Sequence, residues 1–271
     1  AMAEDEGWTV LHAIVDCVWI ENKAITNREE KRRLALQFAQ RVTQEIGIPL
    51  EYEDMYHFIG FLPSRMHGAG SLTKYWAYGD KGLKMRGIES RQHSTCRWVK
   101  SLQNMAFEIL IDCIRDGINV QSRPVQNSIS SMLHKELGRL ERNGIDMEEL
   151  VVKRRVSKTI EQFTVSTLTH AALLRAAQLG HEIPPGGKVK FVVLRTRDED
   201  PAARVILLEE LPRAARSEVN VDHNHYRELA RRAIWAILAP FGWTDEEIRV
   251  GLKAATLFDY SSADKPFNST M

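Results

Sequence analysis

The chain has 271 residues, 44% of them hydrophobic and 27% charged, with a formal net charge of +1. This composition excludes a mainly disordered chain, and the longest apolar runs fall far short of the roughly 20 residues that a membrane span needs. Three cysteines without a CxxC pair argue against a zinc ribbon and favour a reducing compartment. We therefore expect a cytoplasmic protein of one large domain or two smaller ones.

Positive charge is concentrated in two segments. Residues 61–100 carry a net charge of +6 and residues 151–190 a net charge of +5, whereas the other 191 residues total −10. Basic segments on an otherwise acidic chain are typical of anion-binding surfaces, and the nucleic-acid backbone is a common large anion. The alternative is two solvated faces that carry lysine and arginine.

The first ninety residues mix strand and helix patterns. Asn27 suits the start of a helix, Gly47 suits its end, and Asp80-Lys-Gly suits a tight turn. Asp16 is a single acid in an otherwise apolar run, and its burial is unfavourable unless a metal or a basic group pairs with it. The pattern predicts a strand over Thr9–Ile20, a helix over Ile25–Gly47, a strand over Leu50–Phe61 and a hairpin over Lys74–Ile88.

After about residue 90 the pattern becomes mainly helical, which makes this position the best candidate for a domain boundary. The periodicity predicts helices over Trp98–Asp116, about Val125–Leu140 and Thr167–Leu179, a strand over Lys188–Arg195 and a long final helix capped by Asp222. The fold class predicted for the whole chain is therefore α+β.

Several stretches match, in order, the motifs of one known family. Val10–Trp19 is similar to a strand-turn-strand that carries Tyr-Gly-Asp-Thr-Asp-Ser, and Leu83–Arg91 is similar to the signature Lys-x-Arg-Gly-Ile-Glu-x-Arg. Ser71–Ala77 is similar to a Lys-Lys-x-Tyr strand of the same family. Further matches are Leu50–Tyr56, Leu150–Lys158, Ala171–Val189 and Asp222–Tyr226. From about residue 3 to 247 the chain thus resembles the C-terminal part of a family B DNA polymerase.

This resemblance implies that residues 1–90 are the end of the palm, an antiparallel sheet with a helix, and that residues 91–271 are a mainly α-helical thumb. The exonuclease, the fingers and the first palm aspartate motif have no counterpart in the sequence. The chain would then be an excised fragment or the small subunit of a split polymerase. Ile14 in place of one motif acid and Thr73 in place of a lysine indicate a divergent, archaeal-type branch, active or inactivated.

Metal-dependent nucleotidyl transfer needs two Mg²⁺ ions held by carboxylates. The resemblance implies that Asp16 is a catalytic, metal-binding aspartate of the palm. No second metal-binding aspartate of that motif set is in the chain, so the Mg²⁺ site would be completed elsewhere and the isolated chain would be inactive. The alternative is that Asp16 lies at a hairpin turn in water.

Nine further residues are predicted to bind DNA, since contacts from lysine and arginine to phosphate give affinity without sequence information. On and after the hairpin they are Lys74, Tyr75, Lys84, Arg86 and Arg91; on a loop that leads into the thumb helices they are Lys153, Arg154, Arg155 and Lys158. Lys84 and Arg86 should share one face of a strand. The alternatives are core packing for the tyrosine and a solvated charge run for the loop.

Three other sequence patterns give weaker evidence for a functional site. Glu51 and Glu53 would share a strand face, either as outer acids near the metals or as solvated side chains. His223-Asn224-His225 is a contiguous tripeptide whose histidines do not share a helix face, so we exclude a nuclease or zinc site. Gly68-Ala-Gly70 is too short to cradle phosphates and indicates a turn.

The favoured hypothesis is therefore a part of a DNA-directed DNA polymerase, in replication or repair, that grips primer–template duplex and supplies one metal ligand. Its partners would be DNA and the rest of the polymerase, in the cytoplasm at the nucleoid. A sliding clamp is a further candidate partner, although the tail Phe258–Met271 shows no pattern strong enough to assign that role. The alternative is a non-catalytic DNA-binding or assembly subunit derived from an inactivated polymerase.

Overall fold

The structure is a computed structural model, and it describes residues 2–14, 17–63, 70–213 and 219–248. The chain divides into two compact units, Ala1–Arg86 and Gly87–Met271. Both helices and antiparallel strands are present, which confirms the predicted α+β class. In the described part of the chain, no helix combines the length and the hydropathy required to cross a membrane.

The first unit contains two small antiparallel sheets and one long helix. Strands β1 and β2 form a two-stranded sheet, and β3, β4 and β5 form a three-stranded sheet in that order. The elements are α1 Met2–Asp5, β1 Thr9–Ile14, β2 Cys17–Glu21, α2 Arg28–Ile46, β3 Tyr56–Pro63, β4 Gly70–Gly79 and β5 Gly82–Arg86.

The prediction of a single strand over Thr9–Ile20 was wrong, because the segment is a hairpin. Strands β1 and β2 pair from Thr9 opposite Glu21 to Ile14 opposite Cys17. The reversal falls inside a run of apolar and β-branched residues without glycine or asparagine, the residues that usually mark a tight turn. Asp16 was the one turn-forming residue type in this run, and the strand-turn-strand of the similar family also indicated the reversal.

The helix α2 begins and ends where its capping residues predicted. The Asn27 side chain accepts a hydrogen bond from the backbone N–H of Glu30 at 3.0 Å. Gly47 adopts a left-handed conformation with φ of +75°, and its N–H donates to the carbonyl of Thr43. These two caps satisfy backbone groups that a helix end leaves without partners, so the local sequence fixes both ends of α2.

The strand predicted over Leu50–Phe61 begins later than expected, at Tyr56. Asp54 lies just before the strand, and its carboxylate accepts hydrogen bonds from the backbone N–H groups of Met55 at 2.8 Å and Lys81 at 3.1 Å. Such bonds from a side chain to nearby backbone compete with the strand ladder. Glu51 and Glu53 consequently precede the strand, and the prediction that they share a strand face was wrong.

The predicted hairpin is confirmed as β4 and β5. Gly79 pairs with Gly82 across a two-residue loop, Asp80-Lys81. Gly82 has φ of +102°, a backbone region that side-chain-bearing residues rarely adopt. The glycine in the predicted turn is thus required by the geometry.

The described part of the second unit contains four helices longer than ten residues and a three-stranded antiparallel sheet with the strand order β6-β7-β8. Short 3-10 turns connect them, including one over Glu89–Arg91. The hydroxyl of Tyr226 accepts from the N–H of Val193 and donates to the carbonyl of Leu150. The elements are α3 Arg97–Arg115, α4 Arg123–Glu141, β6 Val152–Arg155, α5 Leu168–Gln178, β7 Lys188–Val193, β8 Val205–Leu207 and α6 His223–Leu238.

All four predicted helices of this unit are confirmed within a few residues of their predicted ends. The loop predicted at Lys153–Arg155 was wrong, since these residues form β6, and β8 was not predicted at all. Both strands are only three or four residues long, so neither shows enough alternation to be recognised alone. Their partner β7, which the sequence did predict, supplies the ladder that holds them.

Candidate nucleic-acid interface

Asp16 and Val15 connect β1 to β2 and lie outside the described residues. Within the described ranges, no three side chains of histidine, cysteine, aspartate or glutamate gather as a metal site. Mg²⁺ typically takes one or two carboxylates together with waters and substrate phosphates. The metal-binding role of Asp16 therefore stays a prediction.

Tyr75 belongs to the core of the first unit, so its prediction as a DNA contact was wrong. It is 1% exposed, and its ring lies 5.4 Å from that of Trp19 and 5.7 Å from that of Phe61. The reason is its position on the central strand β4, on the face that the β1–β2 hairpin covers through Trp19. Tyr75 therefore packs in the core, which was the alternative interpretation of this residue.

Lys84 is an ion-pair partner inside the first unit. Its Nζ lies 2.5 Å from both carboxylate oxygens of Glu53 and 5.2 Å from the ring centroid of Trp19. Burial opposes the charged form, but the hydrogen bond to Glu53 and nearby negative groups outweigh it and raise the pKa of Lys84. The lysine is therefore protonated, but the Glu53 carboxylate balances its charge. This ion pair reduces the capacity of Lys84 to attract phosphate.

Arg86 lies on the same strand as Lys84 and points to the same face, as the sequence predicted. It is exposed and makes no ion pair among the described residues. Lys74 is also exposed. Tyr75 pairs directly with Arg86 and therefore shares its face of the sheet. Because neighbouring side chains in a strand alternate, Lys74 lies on the opposite face. The basic residues of this hairpin are thus divided between two faces.

We expect Arg86→Ala to weaken binding of the chain to duplex DNA several-fold, because an arginine without an ion-pair partner can release a counterion from phosphate. Lys84→Ala is the matched control on the same strand face, and it should change the Kd less than twofold, since Glu53 already neutralises Lys84. Fluorescence anisotropy with a labelled duplex measures both. An equal loss in the two variants would show that Glu53 does not shield Lys84.

A second basic surface lies on one face of the sheet in the second unit. Lys153 pairs directly opposite Lys190, and Arg155 directly opposite Lys188. Side chains of opposite residues and of residues two apart in a strand share a face. These four residues therefore form one basic group, which we call the basic sheet face; it is defined by Lys153, Arg155, Lys188 and Lys190.

The basic sheet face is open to solvent and is not neutralised. Arg155, Lys188 and Lys190 are exposed and Lys153 is half-buried, and in the described ranges none of the four forms an ion pair. Like charges directly opposite each other destabilise a sheet. An arrangement that repels itself is expected where an external anion supplies the missing negative charge.

Arg154 occupies the other face of the same strand, so it is not part of the basic sheet face, and its role as a phosphate contact stays a prediction. Its strand neighbour Val152 and its cross-strand partner Val189 are buried. The Arg154 guanidinium donates from Nη1 to the carbonyl of Ser94 at 2.9 Å, and burial lowers the pKa of Arg154. This arginine therefore ties β6 to the segment before α3. Lys158 lies beyond the strand and is exposed.

We expect Arg154→Ala to lower the free energy of unfolding by about 1–2 kcal/mol, because a half-buried arginine loses both its packing and its hydrogen bond. The salt dependence of DNA binding should stay as in the parent. Lys158→Ala, an exposed control nearby, should leave the unfolding free energy unchanged. Urea unfolding followed by circular dichroism measures the stability, and a neutral Arg154→Ala would contradict the structural role.

Two members of the basic sheet face, Lys188 and Lys190, were not predicted. The signal was present in the sequence, because both lie in the +5 segment and are spaced two apart in a predicted strand. What the sequence could not give was the strand opposite, and with it the register that aligns them with Lys153 and Arg155. Arg91, which was predicted, is exposed at the end of the 3-10 turn Glu89–Arg91.

Comparison with known proteins gives one consistent family. The family model described as DNA polymerase family B matches residues 12–240. The chain is 22% identical over 262 residues to DNA polymerase 1 of Saccharolobus solfataricus, covering 96% of this chain and 27% of that protein. It is 20% identical over 194 residues to a DNA polymerase of Archaeoglobus fulgidus, covering 72% of this chain and 22% of that protein.

Structural comparison agrees at the level of the fold. The family B DNA polymerase from the hyperthermophilic archaeon Pyrobaculum calidifontis aligns with a TM-score of 0.56 and 16% identity. The alignment covers 87% of this chain and 27% of that chain. The chain thus spans about a quarter of the length of the polymerases that it matches.

Proposed function

Because the chain belongs to DNA polymerase family B, we propose that it is the end of the palm followed by the thumb of such a polymerase. In this proposal the first unit contributes Asp16 to a divalent-metal site, and the second unit grips primer–template duplex. Mg²⁺ is the metal that phosphoryl transfer of this kind commonly uses. The chemistry itself needs carboxylates and fingers that the chain does not contain.

The basic sheet face is the observation that carries DNA binding. Its four cationic side chains form two cross-strand pairs on β6 and β7, and each pair could contact phosphate. No described residue forms an ion pair with any of the four. Contacts to phosphate carry no base information, which suits a protein that must hold any sequence. Arg86 and Arg91 are proposed as further contacts on their own units.

The β1–β2 hairpin supports the proposal that the rest of a polymerase is a partner. Its inner face buries Trp19 and His12, yet Val10, Leu11 and Val18 on the hairpin remain 42%, 45% and 36% exposed. In the described part of the chain, β1 and β2 pair only with each other. An apolar hairpin with both edges open is marginal alone and is expected to be covered in the working assembly.

A second candidate function is a DNA-binding subunit without catalysis. Ile14 favours it, because this apolar residue stands where the resembling motif has an acid. Both candidates share the DNA grip and differ only in whether Asp16 acts with a metal. Activity measured with the remainder of a polymerase separates them.

The test of the DNA grip is binding of the 271-residue chain to duplexes of several sequences at increasing salt. We expect weak binding, similar for all sequences and independent of added metal. The logarithm of affinity should fall with the logarithm of salt by roughly 0.9 per phosphate contact. No binding at about 50 mM salt, or strong preference for one sequence, would contradict the proposal.

A further inference from the structure

Arg91 owes its position to the turn that carries it. The turn Glu89–Arg91 closes with the Arg91 N–H donating to the carbonyl of Ile88 at 3.0 Å, and Ile88 is buried. The Arg91 side chain is exposed, and no other described residue forms an ion pair with it. Its location in space is therefore set by the backbone of the turn.

Gln103 on α3 fixes that turn from the inside. Its side chain is 0% exposed, and its Oε1 accepts from the Ser90 N–H at 2.7 Å. Its Nε2 donates to the carboxylate of Glu89 at 3.0 Å and to the carbonyl of Ala233 in α6 at 2.6 Å. One buried amide thus uses two donors and one acceptor to join the two residues before Arg91 to two helices.

We infer that Gln103 is a positioning residue for DNA binding, which holds the turn so that Arg91 meets a phosphate. The inference rests on the proposed function, because it assumes that Arg91 contacts DNA. A contact that is held in place before binding needs less ordering when DNA arrives, and affinity gains from that. Replacement of Gln103 by an apolar residue leaves the Ser90 N–H and the Glu89 carboxylate without their buried partner.

The experiment is a double-mutant cycle in the 271-residue chain, with DNA affinity and its salt slope as readouts. Arg91→Ala and Gln103→Met should each weaken binding about tenfold and flatten the slope by roughly 0.9, the value of one lost phosphate contact on duplex DNA. The variant that carries both substitutions should bind no more weakly than Arg91→Ala alone, because both substitutions remove the same phosphate contact. Gln103→Met removes no charge, so a flatter slope indicates that a charged side chain of the turn Glu89–Arg91 has moved.

Leu110→Ala is the control for simple destabilisation. Leu110 is buried on α3 two turns beyond Gln103 and makes no hydrogen bond to the turn Glu89–Arg91. This variant should lower the melting temperature and leave the DNA affinity and slope of the folded protein unchanged. If Leu110→Ala reproduces the loss of binding, Gln103 acts only through stability and the inference is overturned.

Glu89→Ala tests the inference if Gln103→Met does not fold. The removal of a carboxylate near Arg91 would by electrostatics alone strengthen binding to a polyanion, so a loss of affinity would support positioning. Parent-like or tighter binding by Glu89→Ala would overturn it. Two results would overturn this inference without affecting the proposed DNA contact of Arg91. One is parent-like binding by Gln103→Met when Arg91→Ala binds weakly, and the other is additive losses of affinity in the double variant. Parent-like binding by Arg91→Ala would overturn it together with the proposed DNA contact of Arg91.

Discussion

Replacement of Lys153, Arg155, Lys188 and Lys190 by alanine should weaken duplex binding by about a hundredfold or more at low salt. It should also flatten the salt slope by roughly 3–4, since each lost phosphate contact contributes about 0.9. The loss should be the same for all duplex sequences, because these contacts are to phosphate. Anisotropy titrations at four or five salt concentrations give both quantities.

The same four replacements should make the second unit more stable in the absence of DNA. Lys153 opposite Lys190 and Arg155 opposite Lys188 are like-charge pairs, and their removal should raise the free energy of unfolding by about 0.2–1 kcal/mol per pair. Weaker binding with higher stability is a combination that general damage to the fold cannot produce. Thermal unfolding in low-salt buffer measures the second effect.

The matched control removes the same charge from exposed residues elsewhere in the second unit: Arg123, Lys135, Arg142 and Arg197. This variant has the same change in net charge but leaves the basic sheet face intact, so its slope should stay near that of the parent. An equal flattening in both variants would show that net charge, and not this face, governs binding. A parent-like slope in the sheet-face variant would show that the face is merely solvated.

The second large effect concerns Asp16. With the complementary part of a family B polymerase supplied, Asp16→Ala should reduce primer extension by about a thousandfold or more, because it removes a carboxylate proposed to hold a catalytic metal. Asp16→Asn keeps the size of the side chain and should be nearly as inactive. Ile14→Asp, which adds an acid to the motif, should change activity far less than Asp16→Ala.

DNA affinity separates a catalytic loss from a folding defect. Asp16→Ala should bind duplex as the parent does, since Asp16 lies in the first unit and the basic sheet face in the second. An Asp16→Ala variant with parent activity in the complemented assay would refute the metal role. Inactivity of the parent itself in that assay, with DNA binding intact, would favour the non-catalytic subunit.

The helices could be predicted from sequence because their signals are local. Asn27 and Gly47 bracket α2 with their own side-chain and backbone geometry, and Asp222 accepts from the His225 N–H at the start of α6. Such caps depend on residues within one turn of the helix end. The turn at Gly82 was predictable for the same reason, since the required positive φ points to glycine.

The sheet residues could not be assigned in the same way, because their roles depend on distant segments. Lys84 is neutralised by Glu53, 31 positions earlier, and Tyr75 is covered by Trp19, 56 positions earlier. Arg154 and its neighbours look alike as a basic run, and only the register with β7 shows that Arg154 faces the buried side. Sequence identified the charged segments but not which charges are free.

Primer extension with three samples tests the central claim most directly: the 271-residue chain alone, the complementary portion of a family B polymerase alone, and the two together. We expect magnesium-dependent extension only in the combined sample, with neither part active alone, since the proposal assigns the other metal-binding carboxylates and the fingers to the complementary portion. Extension by the chain alone would contradict the account. The complementary portion could also extend primers equally well without the chain, with the parent chain and with Asp16→Ala. That result would contradict the proposed catalytic role of Asp16.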